Sequence, residues 1–403
     1  MVGMGLWKRT IALVALVACA AAHADSPRPN DPVPDVRIPV APLGYVAPSP
    51  FYLTARLSSV SLDFIDNNHL LFTFRLPELM KRLPDDPPSD EDQIICAQVL
   101  DLPAGKVETR AEWRMHDRSR YLWRLGNGLF LVRQRSRLYA IDQTLQFRPF
   151  LNSETALESV QVSPDRQWLV VEADGKKEDH ETLASASPSL GDAAPDEKPV
   201  QIFIINTKDH AVIVRAQALN AVEVPMIGDG HLQAIAGNRN KWMIRYLPFK
   251  GEARLLTEVE SSCQPTEEPV SHDVTLIFSC PRSGNDHLVS AINLDGKLLW
   301  QQRWDARYIW PTFQLTQNGS RFAYSSLEVS RPVGPMDPVD QDSILKQMVG
   351  VFDTASGKLL LVKNATPILS AGQNYALSPD GMRFVILREG ALEVYNLPPI
   401  SEH

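Results

Sequence analysis

The chain repeats one strand unit seven times along most of its length, and this repetition constrains its fold more than any other feature. The clearest copy is the last, YALSPDGMRFVILREGALEVYNLP at residues 375–398. Each copy has an alternating strand, a turn built on Asp, Asn or Gly, and further apolar strands. Alternation with a period of two is typical of half-buried strands joined by hairpins. The sequence therefore predicts seven meanders of about four strands each.

A single meander of this size cannot bury both of its faces, so such repeats stack on one another. Stacking around an axis gives a β-propeller, which also covers strand edges that would otherwise pair with other chains. The last copy stops after its third strand, and a strand-like stretch, FYLTARL at residues 51–57, precedes the first copy. We expect this N-terminal strand to close the ring in the last blade. The predicted fold is all-β, a seven-bladed β-propeller of four-stranded antiparallel blades over residues 51–403.

Several short motifs carry a resemblance to a known superfamily. They are LSPDG at 377–381, VSPDR at 162–166, and the strand ends VYNLP, VFDTASGK and INLDGKLLW. Together they resemble the WD-repeat-like and quinoprotein-like β-propeller superfamily, which implies a propeller fold and a habit of binding partners. Residues 291–300 also resemble one tryptophan-docking repeat of pyrroloquinoline quinone enzymes. Cofactor-dependent members carry many such repeats, so we interpret the single copy as shared turn chemistry and expect no cofactor.

The N-terminus has the layout of a secretory signal peptide. Lys8 and Arg9 precede an apolar run, and Ala22-His23-Ala24 is a small-residue cleavage site. The apolar run is too short to span a bilayer. We therefore predict a signal peptide over residues 1–24 and a secreted or periplasmic protein without a transmembrane segment. The alternative is a bacterial lipobox at residues 16–19, which would leave a lipidated Cys19 and a membrane anchor.

Residues 25–50 contain eight prolines and little that could pack. Proline-rich segments favour extended conformations with few internal contacts. We therefore expect a flexible linker between the signal peptide and the propeller.

Charge argues against a nucleic-acid partner. Removal of residues 1–24 takes away two cations and no acid, so the formal net charge falls from −8 to −10. One stretch differs, with nine arginines: Arg110, Arg114, Arg118, Arg120, Arg124, Arg133, Arg135, Arg137 and Arg148. Around Arg133, Arg135 and Arg137 these could form a patch for an anion or an acidic partner. The alternative is a solvated face whose arginines pair with neighbouring carboxylates.

Cysteine usage agrees with export. Cys263 follows the fourth strand of the fourth repeat and Cys280 ends the second strand of the fifth, so both fall on one rim. We predict a disulfide between them, which an extracytoplasmic compartment allows. Cys96 lies within the apolar strand IICAQVL and is expected to be a buried thiol.

Three long insertions interrupt the repeats, at residues 76–92, 174–198 and 327–345. Each falls between the second and third strands of its blade, so all three should emerge on one rim, the rim of the disulfide. Loops on a rigid scaffold are where binding surfaces are usually built. The leading interpretation is therefore a monomeric platform that binds a protein or glycan partner. The acidic run within residues 85–92 lacks the ligand order of a calcium loop, and we interpret it as solvated.

The sequence shows few signs of catalysis. No two histidines have the spacing that presents two imidazoles to one metal, and neither a nucleophile elbow nor a phosphate loop occurs. We therefore assign no catalytic, cofactor-binding or metal-binding residue. Two alternatives stay open: a metal-dependent hydrolase or lactonase whose site is assembled from several blades at the central channel, and a structural part of an envelope complex anchored through Cys19.

Overall fold

The structure, a computed structural model, describes residues 32–47, 60–78, 80–84, 86, 93–116, 120–175, 199–282, 286–333, 338–370 and 373–400. Strands in these ranges form seven sheets, each with four antiparallel strands. The predicted all-β, seven-bladed β-propeller is therefore confirmed. We number the blades 1 to 7 in chain order.

The first three blades follow one another without strand exchange. Blade 1 contains β2 (Val60–Phe64), β3 (His69–Arg75), β4 (Gln93–Asp101) and β5 (Lys106–Met115). Blade 2 contains β6 (Leu122–Gly126), β7 (Leu129–Gln134), β8 (Arg137–Ile141) and β9 (Arg148–Asn152). Blade 3 contains β10 (Leu157–Val162), β11 (Trp168–Asp174), β12 (Val200–Asn206) and β13 (Val212–Ala218).

The next three blades repeat this order. Blade 4 contains β14 (Met226–Ile227), β15 (Gly230–Ala236), β16 (Lys241–Pro248) and β17 (Arg254–Glu260). Blade 5 contains β18 (Thr266–Pro269), β19 (Val274–Ser279), β20 (His287–Asn293) and β21 (Leu298–Trp304). Blade 6 contains β22 (Tyr308–Leu315), β23 (Arg321–Val329), β24 (Ile344–Asp353) and β25 (Leu359–Ala365).

Blade 7 is built from both ends of the described chain. It contains β26 (Tyr375–Leu377), β27 (Arg383–Arg388), β28 (Ala391–Asn396) and, as its fourth strand, β1 (Val36–Pro39). Val36 pairs with Val394 and Pro39 with Ala391 in an antiparallel register. The ring is closed by an N-terminal strand, as predicted, but by a different segment from the one expected.

The expected closing strand, FYLTARL at residues 51–57, lies outside the described residues. The strand in its place comes from the predicted linker. Pro39 ends β1, and proline is tolerated there because β1 is an edge strand that pairs on one side only. Ile38 and, beyond the strand, Leu43 and Tyr45 are buried in the cluster between blades 7 and 1. The high proline content led to the prediction of a linker, because the strand in this segment is only four residues long. This part of residues 25–50 packs against the blades and does not form an extended tether.

The repeated SPD turn has a local physical cause. In blade 7 the Ser378 hydroxyl donates to Asp380 and accepts from the backbone N–H of Arg383, while Gly381 takes a φ of +73°. A left-handed φ of this kind costs glycine little. In blade 3 Ser163 makes the same bonds to Asp165 and to the N–H of Trp168. The motif therefore fixes the turn between the first and second strands of a blade.

The hydrophobic core lies between the blades. Each of seven buried clusters in the described residues joins two neighbouring blades, and one of them joins blade 7 to blade 1. Two short 3-10 turns, Ala41–Leu43 and Gln341–Ser343, lie among the described residues. In the ranges that the structure describes, no helix has the length and apolar character needed to cross a membrane.

Alternation of strand direction gives the disc two different faces. The turns between first and second strands and between third and fourth strands lie on one face, which we call the hairpin face. The connections between second and third strands, and those from one blade to the next, lie on the other. The three long insertions, at 76–92, 175–199 and 330–343, all join second to third strands, so we call this the insertion face.

Candidate functional site

A cavity of about 200 Å³ lies where the first strands of the blades meet around the axis. Residues of β2, β6, β10, β14, β18 and β22, the first strands of blades 1 to 6, line it together with the residues beside these strands. We call this cavity the axial pocket. Its charged side chains are Asp63, Arg120, Arg124, Arg166, Glu223, Glu267 and Glu268.

Three guanidinium groups form the basic wall of the axial pocket. Arg124 is 7% exposed, and its Nη1 donates to the Leu377 carbonyl of blade 7 at 3.4 Å. Arg166 reaches the Leu315 carbonyl of blade 6, also at 3.4 Å. Arg120, at the entry to β6, donates through Nε to the Leu122 carbonyl at 3.1 Å.

Asp63 is the carboxylate set against this basic wall. It is 6% exposed and accepts a long hydrogen bond from the Ser61 hydroxyl at 3.4 Å. Burial raises its pKa, and the charges of Arg124, Arg120 and Arg166 oppose that rise. Burial, followed by the neighbouring charge of Arg124, lowers the pKa of Arg166 to about 10. Like charges packed in one cavity therefore destabilise one another, and Asp63 offsets them only in part.

Glu267 and Glu268 of blade 5, with Glu223 at the entry to blade 4, form an acidic wall of the same pocket. Burial raises the pKa of Glu267 to about 7 and that of Glu268 to about 8, and Glu223 adds to both shifts. The Oε1 atom of Glu267 is buried without a hydrogen-bond partner among the described residues. Near pH 7, Glu268 is therefore largely protonated and Glu267 about half protonated.

These two carboxyls make the stability of the protein depend on pH. Their folded pKa values lie above the unfolded ones, so the folded state holds extra protons and the free energy of unfolding falls as pH rises from about 4.5 to 8. We expect Glu268→Gln to match the wild type near pH 4.5 and to exceed its unfolding free energy by about 2 kcal/mol at pH 8. Urea unfolding at both pH values measures this difference.

Glu258→Gln is the matched control for that experiment, because Glu258 is a half-exposed carboxylate paired with Lys241 on the outer strands of blade 4. Its unfolding free energy should follow the wild-type pH dependence. A Glu268→Gln variant with the same slope as the wild type would show that Glu268 is ionised in the folded protein.

The axial pocket is covered on the hairpin face. Gln317 in the turn of blade 6 donates to Asn127 in the turn of blade 2 at 3.0 Å. His272 Nδ1 in the turn of blade 5 lies 2.7 Å from Asp165 in the turn of blade 3. Since these blades are not neighbours, both contacts cross the axis. The pocket therefore opens toward the insertion face, where its exposed members Arg120 and Glu223 lie.

The base of each insertion is fixed by a backbone hydrogen bond. The bonds run from Leu76 N–H to the Ile94 carbonyl, from Gly175 N–H to the Pro199 carbonyl, and from Ser330 N–H to the Ser343 carbonyl. In the first insertion the carboxylate of Asp86 is held by Arg114 and Arg135 of blades 1 and 2. The insertions thus leave the scaffold at defined points around the pocket opening.

Cys263 and Cys280 form a disulfide on the insertion face, as the sequence predicts. It ties the end of blade 4 to blade 5. Cys96 is a buried free thiol in β4, and burial raises its pKa. A buried thiol of raised pKa is a poor nucleophile. Cys19, the predicted alternative lipidation site, lies outside the described residues.

The structure does not bring Arg133, Arg135 and Arg137 together as one exposed patch. Arg133 is 5% exposed and donates to the Leu157 carbonyl, whereas Arg135 pairs with Asp86 and Arg137 is exposed at the start of β8. Two other arginines of the same stretch, Arg120 and Arg124, line the axial pocket instead. Within the described residues, no three His, Cys, Asp or Glu side chains come together as a metal site.

Sequence reasoning did not single out Asp63, Arg166, Glu267 or Glu268. They lie in or beside the first strands of three repeats, where the sequence pattern gives a polar residue the appearance of an ordinary solvent-facing position. The recurrence of charged residues at the first strands of several repeats could have predicted this site, because the first strands surround the axis of a propeller.

The chain is defined by its fold as a seven-bladed β-propeller. No protein-family model and no curated protein matches its sequence. Among solved structures, an acylaminoacyl peptidase of Pyrococcus horikoshii is similar over 85% of this chain and 52% of its own, with a TM-score of 0.50 and 12% identity. The chain thus spans about half the length of that enzyme, and the likeness shows the fold alone.

Two further solved structures match at lower similarity. A chain of the mitotic checkpoint complex matches 97% of this chain and all of its own, with 13% identity and a TM-score of 0.44. TolB of Acinetobacter baumannii matches 81% of this chain and 79% of its own, with 13% identity and a TM-score of 0.37.

Proposed function

We propose that this protein is an exported binding platform that captures a protein or glycan partner on its insertion face. The observation that carries the proposal is the placement of three insertions, the disulfide and the opening of the axial pocket on one face of a rigid disc. Loops projecting from a rigid scaffold are the usual site of recognition. The disulfide, together with the signal-like N-terminus, supports an extracytoplasmic location, in the periplasm or outside the cell.

The two faces differ in a way that favours this assignment. On the hairpin face the connections are short turns, and several are bonded to one another across or around the ring, as between Asp380 and Asn67 of blades 7 and 1. On the insertion face, three long connections between second and third strands leave the scaffold, from blades 1, 3 and 6. The concentration of long connections on one face supports the proposal that this face contacts the partner.

Shortening two insertions tests the proposal without altering any blade. Because the Gly175 N–H bonds the Pro199 carbonyl, residues 177–197 can be replaced by a Gly-Ser-Gly turn, and residues 332–340 can be replaced likewise above the Ser330–Ser343 bond. We expect this variant to lose at least about tenfold in partner affinity, since loops of a recognition face carry the contacts. Its thermal midpoint should stay close to that of the wild type, because long surface loops contribute little to stability.

The measurement is capture by immobilised protein, with an envelope extract and a glycan array as separate arms. The matched control is Arg148→Gln, which removes an exposed ion pair with Asp142 on the hairpin face and should leave capture unchanged. Capture that survives shortening of both insertions in both arms would reject the insertion face as the binding surface.

A further inference from the structure

We propose that the axial pocket binds a small oxyanion, a molecule carrying a carboxylate or phosphate group, at the guanidinium groups of Arg120, Arg124 and Arg166. This site does not depend on the partner proposed above. It rests on the contacts of these arginines, on their charge and on the size of the cavity.

The first observation is an unsatisfied donor. Arg124 is 93% buried, lines the pocket, and its Nη2 has no hydrogen-bond partner among the described residues. Its other terminal nitrogen makes only a 3.4 Å contact to a carbonyl. A buried guanidinium donor without an acceptor destabilises the free protein, so an oxygen at this position would be favourable.

The second observation is that the hydrogen bonds of the neighbouring Arg166 guanidinium are long. Arg166 contacts the Ser163 and Leu315 carbonyls at 3.4 Å each. Charge-assisted bonds from arginine to an oxyanion are about 2.7–2.9 Å long and frequently bidentate. The planar fork of a guanidinium matches carboxylate and phosphate geometry. An oxyanion would therefore provide acceptors that the two carbonyls provide only weakly.

The third observation is the charge balance of the pocket. Arg124 and Arg166 face it beside one buried carboxylate, Asp63, while the nearby Asp165 is engaged by His272 on the hairpin face. Burial and the neighbouring arginine lower the pKa of Arg166, which is the effect of like charges in close quarters. An anion between the three guanidinium groups would remove this repulsion.

The opposite wall and the volume of the cavity limit the ligand. Burial raises the pKa of Glu267 to about 7 and that of Glu268 to about 8, so below pH 7 both carboxyls are mostly protonated, repel an anion little, and can donate hydrogen bonds. A cavity of about 200 Å³ suits a molecule of roughly ten non-hydrogen atoms or fewer. The pocket is therefore matched to a small acid rather than to a polyanion.

The test is isothermal titration of the folded chain with succinate, malate and inorganic phosphate in a chloride buffer at pH 6.5. We expect saturable one-to-one binding of at least one of the three. Arg124→Gln should weaken it at least about tenfold, as expected when a charged hydrogen-bond donor is lost. Asp63→Asn should tighten it severalfold, because the competing internal carboxylate is gone.

Arg303→Gln is the matched control, since it removes the same charge from the exposed face of β21 and should change the affinity less than twofold. If Arg124→Gln does not fold, Arg120→Gln replaces it, because the Arg120 side chain is exposed at the pocket opening. Three results would overturn the proposal: no saturable binding of any of the three anions, equal binding by the Arg124 or Arg120 variant and the wild type, or binding of acidic peptides but of no small anion.

Discussion

Replacing Ile38 with aspartate is expected to lower the free energy of unfolding by about 4 kcal/mol, enough to abolish most of the stability of an ordinary domain. Ile38 is 5% exposed in β1 and packs in the cluster between blades 7 and 1, beside Gly105 of blade 1. The substitution removes a buried apolar side chain and places a carboxylate there without a partner. Chemical unfolding followed by tryptophan fluorescence measures the loss.

Arg37→Ala is the control for this experiment, because Arg37 is the neighbouring residue of the same strand and its half-exposed side chain pairs with Glu393 at 3.5 Å. Glu393 is buried but keeps its contacts with Tyr395 and Arg388, so loss of the half-exposed Arg37 should cost only about 0–1 kcal/mol. If the Ile38 variant unfolded at the same denaturant concentration as the Arg37 variant, β1 would not be holding the ring closed.

The second large effect is expected at Arg321, one of the largest fully buried side chains of the protein. From blade 6 its guanidinium donates to the carbonyls of Gly381 and Pro398 in blade 7, so it bonds two neighbouring blades directly. Arg321→Met keeps the length of the unbranched stem and removes the guanidinium donors. We expect a loss of about 3–5 kcal/mol, because both carbonyls stay buried or part-buried without this donor.

Arg383→Met separates this effect from the loss of a positive charge. Arg383 also bonds a carbonyl and a side-chain oxygen of the adjacent blade, those of Asn67 and Asn68 at 2.9 Å each, but near the surface. Water can replace its bonds, so we expect a loss of about 1 kcal/mol. Thermal and urea unfolding of both variants measure the difference. Equal losses would mean that burial of Arg321 adds nothing to its role.

The blade architecture was accessible from the sequence because its determinants are local. Alternation in strands such as β27 and the SPD turns of blades 3 and 7 depend on residues within about ten positions of each other. The disulfide was also accessible, because strand order alone places Cys263 and Cys280 on one face. Strand propensity and turn chemistry depend on residues close together in sequence. In a repeat protein the same local pattern occurs several times, which makes it easier to recognise.

The closing strand and the axial pocket were not accessible in the same way. The prolines around Val36–Pro39 made this segment look like a linker, although its four residues form a strand. Residues 51–57 show a clearer strand pattern and were therefore predicted to close the ring. The pocket requires Asp63, Arg124, Arg166 and Glu268 to meet from four blades, and nothing in their local patterns sets the distance between them. The arginines that were predicted to form a surface patch have different roles in the structure. Arg133 makes a buried hydrogen bond, Arg135 forms an ion pair, and Arg124 lines the axial pocket.

The pairing of β1 with β28 also has a consequence for the time course of folding. The backbone N–H of Asn396 bonds the Asp35 carboxylate across 361 positions of sequence. A growing chain presents its first strand long before that partner has been synthesised, and joining such distant segments carries a large loop-closure entropy. Completion of the seventh sheet should therefore be the late, slow event of assembly. A protein released short of its last strand would expose two unpaired edges at once, which invites association with other chains.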